Sequence, residues 1–425
     1  MGSVEKNVAL VFGASGISGW AVTKNLMSYP TTTTFARVIG LSNKPVDLPN
    51  SRLPIGDRRL EMYHGINLRG DLPSVVQQMK ATVPHVEEVT HVYYCVYSNA
   101  SAYAQDVMEL LDINVGMTGN AVHAIDQVCT NLQFLVLQTG TNVSRTYLRR
   151  PMHVLRMKNY GVAVYEFQDK IKIDPPLRET LPRIPSPWGD EIFYYGQVDL
   201  IKKAQKGKTW KWCEVRPDTI IGFTPGMTNM TSLEPIGLFL SLWRYVNGQG
   251  ASIPYIGTAE NYRHTNSDSS QDIIARSHIY LSVVKPEAAN GEAFNVADSE
   301  TPTSWVGRWP ILASYFGLKG LPPDGTAEDF FPAEKWWNDH QEEYKQMCTE
   351  FGLRERTIPP ESWIFVRAAC LYLKRDRHLS LEKIRDLGFR EEFVQGQGHI
   401  IGFDRMVESK ILPPSEAMKM GASNC

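Results

Sequence analysis

Residues 7–19 read NVALVFGASGISG, and this stretch decides the fold. The apolar run NVALVF has the pattern of a buried strand, it stops at Gly13, and helical spacing runs from Ser18 to Leu26. Strand, Gly-x-x-Gly-x-x-Gly turn and helix, in that order, form the arrangement that grips the pyrophosphate of a dinucleotide. Gly13, Gly16 and Gly19 let the backbone turn tightly and approach a phosphate without a side chain between them. The start of the helix offers unpaired N–H groups and the positive end of its dipole. Ser15 and Ile17 lie in the same turn and count with the three glycines as cofactor-binding candidates. A tight turn that holds no ligand is the plainer alternative.

Working outward, further apolar runs recur at 36–41, 90–97, 132–138 and 210–215, with helical segments between several of them, notably 102–128. Strands alternating with helices predict a parallel, doubly wound α/β sheet covered on both faces. Beyond about residue 223 the text changes, and Pro, Trp and Phe become frequent. The expected division is a Rossmann core over 1–225, with 263–300 returning to it, and a smaller, mostly helical C-terminal cap over most of 226–425. Apolar cap surface suits an apolar ligand; tryptophans that merely fill a small core are the alternative.

The second strand bears on the cofactor. An NAD site usually carries Asp or Glu about 20 residues beyond the glycines to hold the ribose 2′-hydroxyl. Here the strand ends Gly40-Leu41-Ser42-Asn43-Lys44, without an acid. Lys44 can pair with a 2′-phosphate while Ser42 and Asn43 donate hydrogen bonds, which favours NADP(H); an ordinary surface lysine is the other reading.

Composition narrows the function. A net charge of −2 over 425 residues offers no basic field for nucleic acid. The six cysteines are scattered without a CxxC pair, as in reduced thiols. The ten histidines show no ligand spacing, so no metal is expected. The first residues lack the build of a signal peptide, and IGLFLSLW is too short to span a bilayer, so a cytoplasmic enzyme without membrane contact is expected. The partner is a small organic substrate; a homodimer is compatible with everything above.

Taken together, these segments resemble the extended short-chain dehydrogenase/reductase superfamily, closest to the progesterone 5β-reductase/iridoid synthase-like group of enone reductases. The resemblance rests on GASGISG, VTHVYY (89–94), Asn114, LQTG (137–140), DPP (174–176), LPR (181–183), FYYGQVD (193–199), VRPDTIIGF (215–223) and EAFNVAD (292–298). It implies an NADPH-dependent reductase of a small, mostly apolar carbonyl or α,β-unsaturated carbonyl compound in specialised metabolism. It places Thr139 of LQTG at the cofactor and makes Tyr194, the first tyrosine of FYY, the donor to the substrate oxygen. Core packing beside Phe193 and Tyr195 is the plain alternative for Tyr194.

The chain departs from the pattern where it matters. Val198 stands where short-chain dehydrogenases generally have lysine, four residues after the tyrosine. The enone-reductase group carries that lysine two residues beyond the glycine of LQTG, and here the position is Asn142. An amide cannot lower the tyrosine's pKa by charge. Arg145, Arg149 or Arg150, in a connection about 15 residues longer than usual, can substitute if it folds over the site; a peripheral elaboration is the alternative. Asn67 replaces the Asp that usually contacts adenine and can still accept through its carbonyl. Asp199, one helical turn beyond Tyr195, is open to an orienting, capping or surface role. Tyr315–Lys319 is a literal YxxxK read as coincidence. The missing lysine keeps two further readings open: a non-redox isomerase, cyclase or lyase on the same scaffold, and a non-enzymatic NADP(H)-sensing regulator.

Overall fold

The computed structural model describes residues 7–98, 107–143, 157–159, 174–187, 189–226, 231–324, 330–372 and 375–414. Two compact units form. The first draws on Met1–Asp218, Gln271–Ala297 and Ser380–Arg390, the second on Thr219–Ser270, Asp298–Leu379 and Glu391–Cys425.

The first unit is built on a seven-stranded, wholly parallel sheet. In chain order its elements are β1 (Asn7–Phe12), α1 (Ile17–Leu26), β2 (Phe35–Ser42), β3 (Leu60–His64), α2 (Leu72–Thr82), β4 (His91–Tyr94), α3 (Val107–Val128) and β5 (Phe134–Gln138). There follow a short antiparallel pair, β6 (Thr141–Val143) and β7 (Met157–Asn159), then α4 (Phe193–Gln205), β8 (Lys211–Pro217) and β9 (Ala293–Val296). The sheet order β9-β8-β5-β4-β1-β2-β3 puts β1 and β4 side by side where the winding reverses. In such sheets ligands bind beyond the carboxyl ends of the strands at that reversal.

Alternation along the strands explains why both faces are covered. Val8, Leu10 and Phe12 of β1 join Val92, Tyr94, Leu135, Leu137 and Trp212 in one cluster with Met117, Ala121 and Ile125 of α3 and Val198 and Ile201 of α4. Tyr93 instead bonds the Ser282 hydroxyl at 2.9 Å, beyond helix Gln271–Ile279, which packs on α1. Helix α1 is buried at every residue except Lys24, which suits a helix pressed between sheet and neighbour.

The second unit is mostly helical. Two short parallel pairs, Thr219–Ile221 with Asp268–Ser270 and Ser252–Pro254 with Lys319–Leu321, sit among helices such as Leu233–Asn247, Trp305–Tyr315 and Gln397–Glu408. Its core gathers Phe239, Tyr255, Trp309, Met347, Phe403 and Met406. Among the described residues no helix is long and apolar enough to cross a membrane. Tyr315 ends its helix with its hydroxyl on Asp404 at 2.8 Å, while Lys319 is exposed on a different element.

Charge is buried in this unit as well. Arg308, 1% exposed, reaches Asp268 at 2.9 Å and the Asn266 side chain at 2.8 Å. Asp298 accepts from the Ser270 amide and hydroxyl, each at 2.6 Å. Burial, and then the charge of Asp268, push the Asp298 carboxyl up to about 8. Because the folded pKa lies above the usual carboxylate value of about 4, stability from this group is full at low pH and is lost as pH rises towards 8. Asp298→Asn keeps the shape without the titration. In urea unfolding at pH 5, 6.5 and 8, this variant is expected to gain on the wild type at each step; a constant difference across the three contradicts the shift.

Candidate active site

The turn after β1 is held by its own backbone. The Gly13 and Ala14 amides donate to the Leu41 carbonyl at 3.0 and 2.9 Å, and Gly16 N–H closes onto the Gly13 carbonyl at 2.9 Å. Gly13 has φ +84°, and a Cβ there would lie 2.9 Å from the Cys95 carbonyl oxygen. A Cβ on Gly19 would lie 2.1 Å from the Gly13 carbonyl oxygen, closer than real atoms approach. Gly16 is the N-cap of α1, brings no capping side chain, and is followed by no acid in the first turn. Amide donors and dipole at this end are therefore left for an anion, and the cradle fits a dinucleotide's diphosphate. Ile17 and Gly19 are buried in the turn and Ser15 is exposed.

Other expected contacts sit at the same carboxyl edge with part of their capacity spent. Ser42 donates to the Lys44 carbonyl at 2.7 Å, so its proton is engaged within the loop, whereas Asn43 and Lys44 are exposed beyond it. Asn67 Oδ1 accepts from the Arg69 amide at 3.1 Å, which leaves that oxygen one lone pair. The Thr139 hydroxyl donates to Glu214 at 2.7 Å. Asn114 is wholly buried and ties down the loop after β4, accepting from the Ser98 amide at 2.9 Å and donating to the Ser98 carbonyl at 3.0 Å.

The two tyrosines opening α4 have different surroundings. The Tyr195 hydroxyl accepts from the buried Ile184 amide at 2.7 Å, and the Arg183 guanidinium lies 4.7 Å from its ring centre. Tyr194 is 9% exposed, packs on Phe193 at 4.3 Å between ring centres, and its hydroxyl has no hydrogen-bond partner among the described residues. Burial raises its pKa strongly, and the charges of Tyr97 and Glu214 raise it further, so the hydroxyl keeps its proton. Val198, one turn on, is core. Asp199 pairs with Arg183 through bonds of 2.8 and 2.6 Å at the surface.

One feature of this site escapes the sequence reading. Glu214, 1% exposed, lies in the middle of β8 with its carboxylate between Thr139 and Arg216, the latter at 2.9 Å. Burial raises its pKa and Arg216 opposes the rise. Glu214 and Arg216 stand two apart on a strand and so share a face, with Trp212, towards α3 and α4. An acid two residues before an arginine in a strand that otherwise reads as buried was the available signal.

Asn142 belongs to β6, where the antiparallel register sets it opposite Lys158. Arg145, Arg149 and Arg150 lie outside the described residues. Among the described residues no group of three or more His, Cys, Asp or Glu is placed to hold a metal ion.

Comparison with known proteins agrees with this geometry. The model of the PRISE-like Rossmann-fold domain matches residues 9–413. The short chain dehydrogenase ausT of Aspergillus calidoustus is 44% identical over 407 residues, 96% of this chain and 94% of the relative. The 3-oxo-Delta(4,5)-steroid 5-beta-reductase of Arabidopsis thaliana is 25% identical over 414 residues, 96% and 94% of the two chains. The UDP-glucose 4-epimerase of Thermus thermophilus, solved with NAD, shares the fold at a TM-score of 0.53 and 15% identity, over 93% of this chain and 98% of its own. The chain belongs to the PRISE-like Rossmann-fold family, the progesterone 5β-reductase/iridoid synthase-like branch of the short-chain dehydrogenases/reductases.

Proposed function

We propose that the protein is an NADPH-dependent reductase of a small, mostly apolar carbonyl or α,β-unsaturated carbonyl compound, working in specialised metabolism. The observation that carries this reading is the Tyr194 hydroxyl: protonated, desolvated and without a partner among the described residues, on the helix whose next tyrosine is tied down. When bound, the nicotinamide supplies hydride to the substrate. Tyr194 donates a hydrogen bond to the substrate oxygen as negative charge develops there, which counts most where water is excluded. Glu214 and Tyr97 favour the neutral phenol, the form that donates.

The glycine turn holds the diphosphate and Lys44, exposed beyond β2, pairs with the 2′-phosphate. Lys158 stands opposite Asn142 in the backbone register of β6 and β7. The relative named for a 3-oxo-Δ4 steroid makes that class of enone a suitable first substrate. A second reading keeps the cofactor without net redox: a neutral Tyr194 that polarises a carbonyl serves an isomerase or cyclase equally well. Product of unchanged oxidation state with no NADPH consumed identifies that case.

Tyr194→Phe is expected to lower kcat about 10²–10³-fold with an unchanged melting temperature. Tyr195→Phe is expected to do the reverse, leaving the Ile184 amide without its acceptor and costing about 1–3 kcal/mol of stability while turnover persists. Steady-state rates at the reduced-nicotinamide absorbance, paired with melting curves, check both; full activity in Tyr194→Phe removes that residue from the chemistry. Lys44→Ala is expected to weaken NADPH binding about tenfold and leave NADH unaffected, and equal loss for both dinucleotides contradicts the 2′-phosphate assignment. Gly19→Ala forces the turn apart, so both dinucleotides should bind at least tenfold more weakly in a fluorescence titration.

A further inference from the structure

The second unit contains a pocket of about 590 Å³, a size that holds small organic ligands. One wall is the helix Pro360–Arg367 with the turn that continues it. Trp363, Val366, Cys370 and Leu371 line it from there at helical spacing, as one face does. Facing them are Phe330, Phe331 and the helix Ala333–Asp339. Phe330 is 45% exposed, so a molecule in the pocket can cover part of its ring.

The charges around this pocket cancel. Glu334 pairs with Arg367, and Lys335 with Asp339. A phosphate or carboxylate would meet Glu334 or Asp339 beside either cation, whereas a neutral molecule finds apolar walls and an exposed Asn338 amide. Covering Phe330 adds apolar burial worth about 25 cal/mol per Å².

We propose that this pocket is a binding site for a neutral, mostly apolar small molecule that carries a hydrogen-bonding oxygen. That chemistry fits the reductase's own substrate and also a separate neutral metabolite, and competition separates the two. The test uses the full chain without nicotinamide, so its outcome is independent of the proposed reduction. Nile red, a neutral polycyclic dye with a carbonyl, should bind saturably at one site per chain. Asn338→Trp, which fills the rim from an exposed position, should weaken binding at least tenfold, and Phe330→Ala severalfold. Val394→Ala, at an apolar residue 74% exposed and outside the pocket, should leave binding unchanged.

Dodecanol should displace the dye at least ten times better than dodecanoate, and Glu334→Gln, which frees Arg367, should narrow that ratio. Displacement by a 3-oxo-Δ4 steroid assigns the site to the enone; retention of the dye assigns it to another neutral ligand. Unsaturable dye binding, or wild-type affinity in both pocket variants with melting temperatures unchanged, overturns the proposal, as does preference of the wild type for dodecanoate.

Discussion

The contact between residue 19 and the Gly13 carbonyl constrains everything downstream of it. With only hydrogen at position 19, α1 begins directly against the end of β1, and its first amides are aimed beyond the carboxyl edge of the sheet. That edge collects the loops after β2, β4 and β5 and the end of β8, so Lys44, Ser98, Thr139 and Arg216 come from strands far apart in sequence that share one sheet. A Cβ at 19 would displace the turn and, with it, the alignment of helix dipole and anion site. In the proposed reading the backbone grips the diphosphate, and side chains are left to tune specificity.

Among the described residues, electrostatics around Tyr194 runs opposite to the usual logic of short-chain dehydrogenases. A lysine beside the tyrosine stabilises the phenolate; here Val198 is core, and a buried carboxylate on β8 bears on Tyr194. Burial of Glu214 is made tolerable by Thr139 and Arg216, which satisfy both oxygens. The result is a phenol that resists ionisation. Such a group can donate to an oxygen that gains charge, and it is poorly suited to act as a base.

Much of the sheet was legible because strands buried on both faces leave continuous apolar runs, as in NVALVF and LQFLVLQ. The glycine turn was legible because only glycine meets those contacts. Less visible were features that depend on partners distant in sequence. Nothing local marks 380–390 as part of the first unit; it joins because Ser380 pairs with Leu177 and Asn295 reaches both. Ser42, Asn67 and Thr139 were legible as polar groups at the right edge, yet their bonds to Lys44, Arg69 and Glu214 follow from loop closure, which no spacing rule records. That the Tyr195 hydroxyl accepts from the Ile184 amide, eleven residues upstream, was likewise invisible in the sequence.

Calorimetric titration of the purified chain with each nicotinamide dinucleotide tests the grip of the turn most directly. One equivalent of NADPH should bind saturably, with NADH weaker. Heats indistinguishable from dilution for both, from protein with an intact cooperative melt, would contradict it.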